Sequence, residues 1–410
     1  MTKQSFFKDF PEKRELLSVK RTPGFVPFVN GHFHTPYSFS AFTDIEQAFQ
    51  LAEAEAVQVL GINDFYTTDG YREFASNASK YKIFPLFNIE FMALQKDLQQ
   101  TGIRVNDPAN PGRTYLSGKG LTYPLVLADP QMRLLQMVQQ ESNVQTAQMV
   151  EKLNDLLAEI NAGFSFTFDE MKARYAKNLL RERHIAKALR IAIDEKFKAP
   201  EEKKAFYLKL FSGKEVKSDF NHIATLENEI RNNLLKAGGK AFVAEDPKAF
   251  LSLEQVNDII IKAGGIPCYP VLLDDAKGNF TDYERNWENL HDELTPKGIY
   301  CIELIPGRNT FATLKDFVTY FRSRNFVITF GTEHNTPQLD PMRVTCSGGI
   351  EMDASMEQTG YEGACIIAAH QYLIGKGEEG YLDAEGVAKM KRYDEFATLG
   401  DAVIRHFIGK

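Results

Sequence analysis

Two histidines two positions apart are the first residues in this sequence whose type and spacing could do chemistry. The apolar residues 25–29 lead into His32 and His34, and a Thr-Pro pair follows, a pattern typical of a buried strand that ends in a proline turn. Because residues i and i+2 of a strand point to the same face, both imidazoles project together and can hold one metal ion. The alternative is two histidines in the mouth of a strand, each hydrogen-bonded to a backbone carbonyl.

The chain after these histidines alternates between predicted strands and predicted helices. Strands at residues 57–65 and 83–90 end near the carboxylates Asp64 and Glu90, with a helix at residues 71–80 between them. Such alternation predicts a mostly parallel sheet. Right-handed crossovers place the carboxyl ends of its strands on one side, where barrels and open α/β sheets hold their active sites. The histidines and the two carboxylates are therefore expected to converge.

The same pattern returns in the second half of the chain. Strands are predicted at residues 263–271, 298–306 and 326–335, and the last of them contains Glu333 and His334. Once more, a carboxylate and a histidine stand at the end of a predicted strand.

The segment between the two halves has a different pattern. Residues 95–123 are predicted to form a long loop that contains glycine and proline, and a helix is predicted from Asp129 to about residue 160. A capping box at Thr167 is predicted to open a helix that carries residues 181–189.

The composition is that of an ordinary globular chain of 410 residues, 43% hydrophobic and 25% charged. No apolar run approaches the roughly 20 residues that a membrane helix needs. Residues 1–8 are polar and charged, so we expect a cytoplasmic protein with no membrane partner. The four cysteines are widely spaced, which argues against a disulfide framework or a structural zinc knuckle. With a net charge of -7, a small molecule is the expected partner and nucleic acid is not.

Six short motifs follow one another along the chain, most of them at predicted strand ends. They are His32-Phe33-His34-Thr35-Pro36-Tyr37-Ser38, Asn63-Asp64-Phe65, Asn88-Ile89-Glu90, His184-Ile185-Ala186-Lys187-Ala188-Leu189, Cys268-Tyr269-Pro270 and Gly331-Thr332-Glu333-His334-Asn335. In this order they resemble the motifs of the polymerase and histidinol phosphatase (PHP) superfamily of metal-dependent phosphoesterases. The resemblance implies an α/β fold, a distorted (β/α)7 barrel of the PHP type with a helical insertion, and metal ions at the C-terminal rim.

Four parts of the chain are expected on this basis. Residues 1–91 form the first part of the barrel, and residues 92–262 form the loop and mostly helical insertion, which rejoins the barrel near its end. Residues 263–345 complete the barrel. Residues 346–410 form a helical segment packed on its outside.

The resemblance also implies a set of metal ligands. In three-metal members of the superfamily, two motif histidines, a bridging glutamate and a late aspartate hold the first ion. That site carries over here as His32, His34, Glu90 and Glu333, with glutamate in place of the usual aspartate. Two histidine nitrogens and carboxylates suit zinc, manganese or iron.

The other two sites of the superfamily are reduced in this sequence. Where the third site usually has ligands, the chain offers Phe39, Phe65 and Asn335, and a phenylalanine cannot bind a cation, so this site is expected to be absent. In the second site Tyr269 replaces a histidine. One or two divalent ions per chain are therefore expected, with His184 or His334 as possible substitute ligands of the second ion.

Further residues have candidate roles, each with a plainer alternative. Asp64 is a candidate base or support for a ligand, and equally a loop cap. Arg308 follows a predicted strand, and Arg183 lies on a helix that could close over the rim, although exposed positions are the rule for arginine. The candidate catalytic residues are Asp64, His184 and His334, and the candidate substrate-binding residues are Arg308, Arg183, Tyr269 and Asn335.

These features lead to a first hypothesis, a metal-dependent hydrolase that acts on a small phosphorylated metabolite and is thus a phosphoesterase. A second hypothesis is a barrel that has lost catalysis and acts as a ligand-binding or regulatory protein, since several expected ligands are replaced. A third is a single-metal hydrolase of substrates other than phosphate esters, such as amides.

Overall fold

Seven strands lie side by side in chain order and curl into a nearly closed barrel. The structure is a computed structural model that describes residues 5–19, 24–274, 278–383 and 385–410. The strands are Phe28–Phe33 (β1), Val57–Phe65 (β2), Phe84–Leu94 (β3), Arg113–Lys119 (β4), Ile266–Val271 (β5), Cys301–Leu304 (β6) and Val327–Phe330 (β7). The predicted α/β barrel fold is confirmed.

The helices surround this barrel, extend above it and close it below. They are Lys13–Ser18 (α1), Ile45–Ala54 (α2), Tyr71–Tyr81 (α3), Lys96–Gln100 (α4), Asp129–Glu159 (α5), Phe168–Tyr175 (α6), Glu182–Lys196 (α7), Pro200–Leu210 (α8), Ile223–Leu234 (α9), Leu253–Lys262 (α10), Trp287–Leu294 (α11), Phe311–Arg322 (α12), Ala354–Gly375 (α13) and Tyr393–Ile408 (α14). In the described part of the chain, no helix combines the length and the apolar character that crossing a membrane requires.

Strand β4 departs from the parallel pattern, because it runs antiparallel to both β3 and β5. It lies inside residues 95–123, where the sequence predicted a loop, so that prediction was wrong for this stretch. An antiparallel neighbour needs no crossover helix. The alternation of strands and helices therefore gave no sign of it, and its residues include no continuous apolar run.

The barrel closes where β1 meets the residues that follow β7. Phe33 and Glu333 form a parallel bridge, and the His34 amide donates a hydrogen bond of 2.7 Å to the carbonyl oxygen of Glu333. Gly331 makes this approach possible, since a Cβ atom there would lie 2.3 Å from the Cβ of His32. Closure thus fixes the histidine pair against the end of β7.

Side chains that point into the barrel change from apolar to polar along the strands. Near the strand starts, Val59 and Leu86 belong to a core cluster shared with α13 and α14. Further along the same faces lie Asn63, Glu90 and Glu303, all buried. Because side chains on one face recur every second residue, strands such as β2, β3 and β6 contribute to both layers. The polar layer lies at the carboxyl ends of the parallel strands.

Helix α5 connects the barrel to the inserted helices. Its Gln131 side chain donates to Asp258 of α10 at 2.8 Å, and eight residues later Gln139 donates to the carbonyl of Tyr66, just beyond β2, at 2.6 Å. The first half of α5 packs in the barrel's outer core, and its second half packs with α6 to α9 in a separate core. The insertion therefore lies above the rim.

The inserted helices differ from the prediction in one respect. Thr167 does cap a helix, accepting a hydrogen bond of 3.2 Å from the Glu170 amide, but that helix is α6 and it ends at Tyr175. The helix with residues 182–196 is separate. It starts anew where the Arg181 amide donates to Nδ1 of His184 at 3.0 Å.

The C-terminal helices close the other end of the barrel. Helix α13 is buried along most of its length and packs against β1, β3 and β7. Its closest approach is at Gly363, where a Cβ atom would lie 1.8 Å from the carbonyl oxygen of Ile328. Only a residue without a side chain fits this contact.

We predict that Gly363→Ala destabilises the protein, because the added methyl group forces α13 away from β7. Overpacking of this kind costs about 1–3 kcal/mol, more than the roughly 1 kcal/mol that alanine gains over glycine in a helix. The free energy of unfolding in urea measures the difference. Ser355→Ala, exposed on the same helix, is the control and should change little. A Gly363→Ala protein as stable as the wild type would contradict the contact.

Candidate metal centre

His32, His34 and Glu90 bring three potential ligand atoms together at the polar end of the barrel. The Nε2 atoms of the two histidines are 3.3 Å apart, and Oε2 of Glu90 is 3.3 Å from Nε2 of His34. All three residues are buried, and their ligand atoms lie within 4.8 Å of one another. Because β1 carries one histidine at its end and the other just beyond it, the strand alternation places both on the inner face.

The hydrogen bonds of the other ring nitrogens fix the tautomers of the two histidines. Nδ1 of His32 lies 2.7 Å from Oε2 of Glu303, a carboxylate that can only accept. Nδ1 of His34 lies 3.1 Å from Oγ of Ser38, whose proton goes to Asp64 at 2.7 Å. Both Nδ1 atoms therefore carry the proton. The two Nε2 atoms face each other with lone pairs.

Two unprotonated nitrogens and a carboxylate at such distances repel one another unless a cation or an extra proton lies between them. Burial lowers the pKa of His34, which disfavours a second proton on its ring. Burial raises the pKa of Glu90 to about 8. The donor set of two imidazoles and a carboxylate fits a divalent ion such as zinc, manganese or iron.

A buried network that the sequence did not reveal supports His32. Lys119 of β4 forms an ion pair with Oε1 of Glu303 and donates to Oδ1 of Asn63 at 3.1 Å. Burial would raise the pKa of Glu303, but His32 and Lys119 outweigh it and lower the pKa to about 2. The sequence places Glu303 inside an apolar predicted strand, which could have indicated a buried carboxylate with a functional role. Lys119 lay in a predicted loop and gave no such indication.

Asp64 supports His34, and its side chain does not line the cavity of about 710 Å³ that opens above the centre. It accepts hydrogen bonds from the amide and hydroxyl of Thr35 at 2.7 and 2.5 Å and from Ser38 at 2.7 Å. Burial raises its pKa, while His34 and Thr35 lower it in part. Its oxygens are therefore used to hold the turn that follows β1 and to orient His34 through Ser38.

Glu333, the fourth expected ligand, lies in the cavity wall next to the centre. Its Oε2 is paired with Arg308 and accepts a hydrogen bond of 2.7 Å from Asn335. Burial raises the pKa of Glu333, but Arg308 outweighs it, so the pKa is below its usual range. Glu333 and His334 both have left-handed backbone angles, with φ of 64° and 52°. Such strain in residues other than glycine is common at functional sites.

Besides Asp64, three of the predicted site residues have side chains that do not line this cavity. His334 has Nε2 at 2.8 Å from the Asp340 carbonyl and Nδ1 at 2.7 Å from the Thr332 hydroxyl, so both ring nitrogens are engaged. Tyr269 faces the outer core and donates to a buried carboxylate, that of Glu284, at 3.1 Å.

His184 is the third of these residues. Its Nδ1 accepts the Arg181 amide hydrogen, and its ring packs edge-on against Phe39 with centroids 4.9 Å apart. Burial and the nearby Lys187 lower its pKa to about 3, so the ring is neutral.

A cavity of about 710 Å³ opens above the centre, between the barrel rim and helices of the insertion. Arg181 and Arg183 lie in its wall, half-buried, and neither is paired with a carboxylate in the described part of the chain. The guanidinium of Arg181 lies 4.7 Å from the ring centre of Phe65, and that of Arg183 lies 5.7 Å from the ring centre of Phe39. The two phenylalanines that replace expected metal ligands thus support two cationic side chains.

Comparisons with known proteins show the fold. No family model and no curated protein sequence matches the chain. A solved structure of a proposed metal-dependent phosphoesterase from Bifidobacterium adolescentis is similar, with 16% identity and a TM-score of 0.51, over 83% of this chain and 96% of that one. So is an amidohydrolase from Chromobacterium violaceum with bound sulfate and no metal, at 16% identity and a TM-score of 0.51, over 81% and 96% of the chains. The chain therefore shares the overall fold of these two structures.

Proposed function

We propose that this protein is a metal-dependent hydrolase of the PHP type that acts on a small phosphorylated metabolite. The observation that carries the proposal is that two unprotonated Nε2 atoms lie 3.3 Å apart, beside the Glu90 carboxylate, in a buried layer. Hydrogen bonds from both Nδ1 atoms hold this arrangement ready for a cation.

His32, His34 and Glu90 would hold the ion, and Glu333 is a candidate fourth ligand. A bound divalent ion supplies a water of lowered pKa and polarises a phosphoryl oxygen. Oε2 of Glu333 is occupied by Arg308 and Asn335, whereas Oε1 has no hydrogen-bond partner among the described residues. Glu333 is not among the three residues whose ligand atoms lie within 4.8 Å of one another, so it would have to move toward the ion to coordinate it through Oε1.

The cavity wall supports an anionic substrate. Arg181 and Arg183 place two positive charges in the cavity wall, and neither forms an ion pair with a carboxylate in the described residues. Arg181 donates to Ser142 at 3.4 Å and Arg183 donates to Asn228 at 3.1 Å, and guanidinium groups bind phosphate oxygens in a bidentate manner. Arg308 is adjacent to them but is already paired with Glu333. A phosphate group held by Arg181 and Arg183 would lie in the same cavity as the candidate metal ligands.

A second candidate function is ligand binding without catalysis. It is supported by the positions of His184, His334 and Asp64, whose side chains do not line the cavity, so none of them is placed to transfer a proton there. Metal-dependent activity distinguishes the two functions.

We predict that His34→Ala weakens metal binding at least about tenfold, the lower end of what loss of a supporting residue costs a metal site, and abolishes hydrolysis of an aryl phosphate. Equilibrium dialysis against zinc or manganese, followed by a phosphatase assay, measures both effects. His222→Ala removes an exposed histidine and is the control. Metal content or activity that is indifferent to His34→Ala would sink the hydrolase proposal.

We also predict that metal binding releases a proton from Glu90. With a pKa of about 8, this carboxyl group is protonated at pH 6.5, and only its ionised form binds a metal. Metal affinity should therefore rise with pH and level off above about 8. Calorimetric titration at pH 6.5 in buffers of different ionisation enthalpy counts the protons. Glu90→Gln should release one proton fewer than the wild type, and equal release would contradict the prediction.

A third prediction concerns the two arginines. Arg183→Met and Arg181→Met should each weaken binding of inorganic phosphate to the chelator-treated protein by about ten- to a hundredfold, because each removes charged hydrogen bonds. Calorimetry with phosphate measures the loss. Arg174→Met is the control, since Arg174 is largely exposed and also stacks on an aromatic ring, that of Tyr175. Wild-type affinity in both cavity variants would argue against a phosphate substrate.

A further inference from the structure

Lys119 is a fully buried lysine whose ammonium group approaches the candidate metal centre from the barrel wall. It is the last residue of β4 and pairs with Ile266 of β5. Its Nζ forms an ion pair with Oε1 of Glu303 and donates to Oδ1 of Asn63 at 3.1 Å. A buried ammonium group is costly unless it is paired and hydrogen-bonded, so these two partners keep it there.

Both partners of Lys119 also contact His32. Oε2 of Glu303 lies 2.7 Å from Nδ1 of His32 and accepts a second hydrogen bond, from Ser117, at 3.3 Å. The amide nitrogen of Asn63 lies 3.1 and 3.2 Å from the two ring nitrogens, so it lies against the face of the imidazole. Each oxygen of Glu303 is therefore engaged. A second metal ion could use this carboxylate only by displacing Lys119 or His32.

The charge balance around the centre also disfavours a second metal ion. Four carboxylates contribute negative charge, those of Glu90, Glu303, Glu333 and Asp64. Lys119, Arg308 and Arg181 contribute three positive charges. With neutral imidazoles, one divalent ion leaves the group one positive charge, and a second ion would raise this to three. Such an excess inside a low-dielectric barrel is strongly unfavourable.

We propose that Lys119 occupies the place of a second metal ion. Its ammonium group neutralises Glu303, keeps that carboxylate as the acceptor for His32, and limits the centre to one divalent ion. Lys119 is a positioning residue, since it acts through Glu303 and Asn63. The inference rests on the proposed function, because it requires an ion at His32, His34 and Glu90.

The number of ions per chain tests this proposal. The full-length protein and Lys119→Met are equilibrated with Mn²⁺ by dialysis, and bound metal is counted by elemental analysis. We expect one ion in the wild type and two in Lys119→Met, because the variant frees Glu303 to bind. Electron paramagnetic resonance should show an exchange-coupled manganese pair in the variant alone, a signature that a purely structural role for Lys119 would not produce.

Two further variants separate charge from packing. Lys119→Arg keeps the positive charge and should bind one ion. Lys119→Met combined with Glu303→Gln removes both charges and should also bind one ion. If Lys119→Met does not fold, Lys119→Gln keeps a hydrogen-bonding group at this position and carries the same expectation of two ions.

The possible outcomes separate this inference from the function on which it rests. Two ions in the wild type, or one ion in the single variants Lys119→Met and Lys119→Gln, would overturn the role of Lys119 and leave the metal site intact. No ion in the wild type would instead contradict the proposed function.

Discussion

Each charged group buried in this barrel requires a charged or hydrogen-bonding partner, and this requirement determines how the side chains of the polar layer are placed. Glu303 is held between Lys119 and His32, and Asp64 is held by Thr35 and Ser38. Each of these contacts replaces water that the folded chain excludes. The same contacts keep the proton of each histidine on Nδ1, so that Nε2 is left with a lone pair. Between the two Nε2 lone pairs and the Glu90 carboxylate, the protein's own side chains supply no positive charge. A bound cation would supply it.

The fold supplies this layer by dividing the barrel interior in two. Alternate residues of β2, β3 and β6 are apolar near the strand starts, in a cluster shared with α13, and polar near the strand ends, which the insertion covers. The apolar layer and α13 hold the strands in place. This lets β1 approach the residues after β7 so closely that only glycine fits at position 331. The precise placement of His32 therefore depends on packing at the opposite end of the barrel.

Much of the fold was predictable because period-two and helical patterns are local. They gave six of the strands, and the strand ends indicated that His32, His34 and Glu90 would lie together. Strand β4 and Lys119 were missed, since an antiparallel return has no crossover helix to mark it. The outward direction of Tyr269 was not predictable, because the apolar pattern of β5 does not show which of its faces lies inside the barrel. Nor was that of His334, since it depends on two left-handed residues in a turn.

The antiparallel direction of β4 has a mechanical consequence. The chain leaves this strand toward the lower end of the barrel, so the insertion must climb back to reach the rim, and α5 makes that climb as one continuous helix. Its 31 residues span about 46 Å at 1.5 Å per residue. Barrel and insertion thus share one continuous helix, and ion pairs such as that of Lys177 with Glu73 of α3 add to this connection. Because α5 rises about 5.4 Å per turn, its length sets how far the inserted helices lie above the barrel rim, and thereby the depth of the cavity between them.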